Sequence, residues 1–110
     1  MTFRSILLAW ALALCLATTA SAHTLFMSVY DNEDGTVTVE GVFSTGSAAS
    51  AVEIRLEDPS GKVLLKKQLD ELGEYTFDQP SGTYDIVLDA GPGHIVREAG
   101  PEKPKDKHAK

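Results

Sequence analysis

The sequence predicts an all-β fold: a small seven-stranded antiparallel β-sandwich, immunoglobulin-like or prealbumin-like. Three observations predict it. From Thr24 onward the apolar residues recur with period two, the spacing of a strand with one face buried. Turn residues return about every 8–12 positions, as they do in sandwiches. No stretch after residue 22 carries the three-and-four spacing of an amphipathic helix.

The elements follow in order. Leu25, Met27 and Val29 alternate with Thr24, Phe26 and Ser28 in a first strand. Asp31-Asn32-Glu33-Asp34-Gly35 is a turn, with Gly35 where a positive φ is needed. Thr36 to Phe43 is rich in β-branched residues and forms the second strand. Ser44 to Ser50 is small and polar and reads as a loop. Val52, Ile54 and Leu56 then alternate with Glu53, Arg55 and Glu57 in the clearest half-buried strand of the chain. Asp58-Pro59-Ser60-Gly61 turns the chain, because proline presets φ and glycine releases it. Lys62 to Leu69 returns as a hairpin partner. After Asp70-Glu71-Leu72-Gly73 comes a short strand, Glu74 to Phe77, and then the turn Gln79-Pro80-Ser81-Gly82. Thr83 to Asp89 places Tyr84, Ile86 and Leu88 on one face. Ala90-Gly91-Pro92-Gly93 breaks the chain before a last strand at His94 to Arg97.

The sandwich is thus expected over residues 23–98. Residues 99–110 hold Pro101, Pro104, four lysines, two acids and His108, the composition of a disordered charged tail.

Ahead of the domain, residues 1–22 have the layout of a secretory signal peptide. Arg4 supplies a positive start, Ile6 to Ala17 is apolar, and Ala20-Ser21-Ala22 is a small-x-small cleavage site. The apolar run falls short of the roughly 20 residues that cross a bilayer. Cys15 lies inside that run behind Leu14, which is too large for lipid attachment. The expected location is therefore the periplasm, and the expected first residue after cleavage is His23.

Cleavage there leaves residues 23–110, 88 residues without cysteine, so no disulfide can staple the domain. Removing Arg4 leaves 9 basic against 16 acidic residues, a net charge of −7. That balance argues against nucleic acid as a partner and favours cations.

The residues that carry chemistry are few. The serines show no nucleophile-elbow pattern, and without a helix no glycine loop can cradle a phosphate on a helix N-terminus. No enzyme activity is expected. Three histidines remain: His23, His94 and His108. Cleavage before His23 frees its α-amine, which together with Nδ1 of the same residue closes a six-membered chelate. Nitrogen donors of this kind suit nickel, copper, cobalt and zinc. The amine has an ordinary pKa of about 8, so a metal can displace its proton near neutrality. His94 follows the open Gly91-Pro92-Gly93 turn and starts a late strand, where it could meet the first strand. Met27 is a possible soft ligand but fits an apolar strand face. Asp89 is placed to orient His94 as a hydrogen-bond acceptor. Glu33 and Asp34 read as turn residues, and His108 as incidental to its tail.

Taken together, Ala22-His23-Thr24-Leu25, Asp58 to Leu64, Gly73 to Phe77 and Tyr84 to His94 resemble a family. It comprises the small periplasmic auxiliary proteins that accompany nickel and cobalt transporters of the energy-coupling-factor type, with prealbumin-like or carboxypeptidase-regulatory-like sandwiches. The resemblance spans most of residues 22–94 and is most specific at His23 and at Gly91-Pro92-Gly93-His94. It implies a divalent metal, nickel or cobalt, held by His23 and His94 and delivered to membrane transporter components. This chain has no second hydrophobic span and is expected to act as a soluble partner. A copper chaperone with the same ligands is one alternative, and a metal-free β-sandwich interaction module is another. A copper enzyme needs more substrate surface than 88 residues offer.

Overall fold

The computed structural model describes residues 23–102. Residues 1–22, read above as a signal peptide, and residues 103–110, with His108, lie outside the described residues. All seven expected strands are present: β1 (Leu25–Asp31), β2 (Thr36–Phe43), β3 (Glu53–Glu57), β4 (Val63–Gln68), β5 (Glu74–Asp78), β6 (Asp85–Asp89) and β7 (Ile95–Ala99). They form an antiparallel sandwich of two sheets, one ordered β1-β2-β5 and the other β4-β3-β6-β7. This is the immunoglobulin constant arrangement with its fourth strand moved from the first sheet to the edge of the second.

Strand alternation builds the core. On β2, Val37 and Val39 point inward and are fully buried, while Thr36, Thr38 and Glu40 line the outer face. They meet Ile54 and Leu56 of β3 and Ile86 and Leu88 of β6 in one apolar cluster. At roughly 25 cal/mol per Å² of apolar surface removed from water, this cluster supplies the main stabilising term. Val87 of β6 points the other way yet is also fully buried. On that outer face Arg55 binds Glu53, Glu57 (3.1 Å) and Asp89 (2.9 Å), and Arg97 binds Glu57 (2.9 Å) and Asp85 (3.2 Å). Val87 is paired with Arg55 on one side and Arg97 on the other, so the two aliphatic stems roof it. Arg55 and Arg97 hold Glu53, Glu57 and Asp89 below the usual carboxylate range.

Three details differ from the expected layout. The loop at 44–50 is not wholly polar surface, because Ala49 inserts into the core with no exposure. β4 is a largely exposed edge strand, with Val63 and Leu64 open to solvent. The ordered domain continues past residue 98: β7 runs to Ala99, Gly100 N donates to Tyr84 O (2.9 Å), and buried Gln79 donates from Nε2 to the Pro101 carbonyl. Gly100 lies flat on the Tyr84 ring, and a Cβ there would sit 2.1 Å from a ring carbon.

Candidate metal-binding corner

The topology brings the starts of β1 and β7 to the same end of the sandwich, on the edge where the two sheets lie open to each other. Buried Leu25 pins the start of β1. Just before it, Thr24 is clamped to the end of β2: its carbonyl accepts from Ser44 N (2.7 Å), and its N–H donates to Ser44 Oγ (3.1 Å). His23 is therefore held at the rim, exposed.

His94 is set by the turn between β6 and β7. Ala90 N donates to His94 O and His94 N to Gly91 O, both at 2.9 Å. Gly91 (φ 109°) and Gly93 (φ 80°) supply conformations that side-chain-bearing residues rarely adopt. Asp89 Oδ1 accepts from Gly91 N at 2.9 Å and fixes the entry to the turn.

The turn carries the His94 ring to the N-terminal segment. Nδ1 of His94 lies 3.0 Å from the His23 carbonyl oxygen, joining residues 71 positions apart. A carbonyl oxygen only accepts, so Nδ1 bears the proton of this bond, and in the neutral ring the lone pair is then on Nε2. A ring nitrogen held by a backbone carbonyl, with the other left as a donor, is the usual state of a metal-ligating histidine. His23, Thr24, Leu25, Gly93, His94, Ile95 and Val96 line a shallow depression of about 240 Å³ here. It is open enough for an ion, and the imidazole of His94 is half-buried.

The donor set limits the chemistry. Among the described residues no three His, Cys, Asp or Glu side chains cluster as a metal site. Two imidazoles are what the side chains offer at this corner, and a free α-amine on His23 would be the third nitrogen. The residues fit a small nitrogen-ligated ion on that condition.

The other singled-out residues go elsewhere. Asp89 does not orient His94; its carboxylate is taken by Arg55 and Gly91 N, and the His23 carbonyl orients the ring instead. Met27 packs against the core. Glu33 N donates to Asp31 Oδ1, and Asp34 accepts from Thr36, so both belong to the β1–β2 turn. The Thr24–Ser44 clamp escaped the sequence reading, because a serine in a small polar loop carries no local mark of a partner 20 residues away. A larger groove of about 590 Å³ opens at the opposite end between β4 and the β5–β6 turn. Leu56, Pro59, Leu64, Leu65 and Pro80 form its apolar wall, and no histidine lines it.

Fold and corner together define a small β-sandwich with two histidines joined across the ends of its open edge. No protein-family model, curated protein or solved structure matches the chain.

Proposed function

We propose that this chain, processed to begin at His23, is a periplasmic binder of a divalent transition metal, nickel or cobalt, that passes the ion to membrane transporter components. The observation that supports this reading is the 3.0 Å contact between His94 Nδ1 and the His23 carbonyl. It sets a preoriented imidazole beside the one residue whose backbone nitrogen becomes an amine on cleavage. In this reading the amine and Nδ1 of His23 form the chelate, and Nε2 of His94 closes the set. His94 keeps its proton on Nδ1, bound to the carbonyl, so its ring gains ligand strength without a second deprotonation. Binding displaces a proton from the amine, so the site holds its ion near neutrality and releases it toward acid. Transfer is ligand exchange, with no covalent step.

Copper is the rival cargo, because copper exceeds nickel at most nitrogen sites. The packing of Met27 against the core speaks against a Cu(I) chaperone, since it removes the nearest soft sulfur from the corner. A metal-free interaction module is supported by a different feature, the exposed aromatic residues of β1.

Calorimetric titration of Ni²⁺ into residues 23–110 and into the His94→Ala variant tests the metal reading. The expected result is at least about tenfold weaker binding in the variant, a loss of about 1.4 kcal/mol, with an unchanged melting temperature. Equal affinities would remove His94 from the site.

A further inference from the structure

The four sheet edges of this sandwich are not alike. β4 carries Lys66 and Lys67, β5 carries Glu74 and Asp78, and β7 carries Arg97 and Glu98. Charges on an edge strand discourage pairing with another chain. β1 has no charged side chain from Leu25 to Tyr30, and Phe26 (53 % exposed) and Tyr30 (51 % exposed) stand open on its outer face.

The outer backbone side of β1 joins no ladder among the described residues, and β7 comes near it only toward the histidine end. The bonds Ser44 N→Thr24 O (2.7 Å) and Asn32 N→Thr36 O (3.0 Å) bracket its ladder with β2. They assign the even-numbered residues to the hydrogen-bonded pairs of that ladder. The N–H and C=O groups of Leu25, Met27 and Val29 therefore point away from β2. β7 belongs to the other sheet and shares no ladder with β1.

We infer that β1 pairs with β1 of a second copy of this chain, antiparallel about a two-fold axis at Ser28. That register opposes residues whose numbers sum to 56. Met27 then pairs with Val29 of the second copy and Leu25 with Asp31, and all of these are residues whose backbone groups point outward. It is also the register that overlaps the whole of β1. The even-numbered residues fall in the non-hydrogen-bonded pairs, where side chains come closest. Phe26 faces Tyr30 of the second copy, twice, so the exposed aromatics cover one another. The two three-stranded sheets become one of six strands. His23 lies beyond the last paired residue, and the same register sets Glu33 of the second copy opposite it. The inference does not depend on metal binding.

The test uses residues 23–110, which contain no cysteine because Cys15 is the chain's single one. At the axis, Ser28 faces its own copy with Cα atoms about 4.5 Å apart, within disulfide range. Sedimentation equilibrium of the unsubstituted chain should show the mass rising from one chain to two with concentration. Ser28→Lys, which sets like charges opposite each other, should hold it at one chain. Ser28→Cys should oxidise to a linked dimer much faster than Thr76→Cys, an exposed control on the outer face of β5. A chain that stays monomeric at every concentration, or Ser28→Cys linking no faster than the control, would overturn the inference.

Discussion

The two ends of the sandwich are closed by different means. At the end where β6 begins, Gly100 packs on the Tyr84 ring and Tyr84 meets Phe77 edge-on at 6.0 Å. Gln79 ties that end to Gly35 through its N–H (2.9 Å) and to the Pro101 carbonyl through its side chain. Burial, with the charge of Asp31 adding to it, pushes the Tyr84 hydroxyl up to about 12. At the other end, the His94 ring rests on the His23 carbonyl through one hydrogen bond, over an open depression. The first end is packed for stability. The second spends little packing on its two histidines, which leaves their nitrogens accessible.

The contrast breaks most readily at glycine. Gly100→Ala should destabilise the domain by about 3 kcal/mol, because the new methyl collides with an aromatic ring in a full core. Gly93→Ala meets nothing within 4 Å and carries only the strain of its φ of 80°, about 1 kcal/mol. Urea midpoints of the two variants measure the difference, and equal losses would show that the histidine end is packed as tightly as the other.

The outer ion network of β3, β6 and β7 sharpens the comparison, since Glu53 and Asp89 lie toward the histidine end and Glu57 and Asp85 toward the other. The folded-state pKa values of Glu53, Glu57 and Asp89 are depressed. Their contribution is therefore complete above the ordinary carboxylate range and is lost as the pH falls through their folded values, which lie below that range. The urea midpoint should hold between about pH 5 and 7 and drop below about 4, with a shallower drop in Arg55→Gln. An equally steep drop in that variant would mean the network adds nothing.

Much of the fold is legible in the sequence, because period-two patterning and turn residues such as Asp58-Pro59-Ser60-Gly61 are local signals. The pairing of β5 with β2 rather than β4 is not local. Neither is the burial of Val87, which depends on arginines from two other strands, nor the order at Gly100 and Pro101, whose composition alone reads as tail. At the corner, His23 and His94 stand out as residue types with metal chemistry. Their contact depends on β1 and β7 starting at the same end, which only the assembled topology decides. For the same reason Asp89, next to His94 in near sequence, is the wrong acceptor for its ring.

In the proposed function, an α-amine freed at His23 completes a site that the side chains leave unfinished. Titrating Ni²⁺ into residues 23–110, and into the same chain with a single alanine placed before His23, separates the amine from the imidazoles. The extra residue moves the amine and leaves both imidazoles in place. The expected result is at least about tenfold weaker binding in the extended chain; equal affinities in the two chains would contradict this role of the amine.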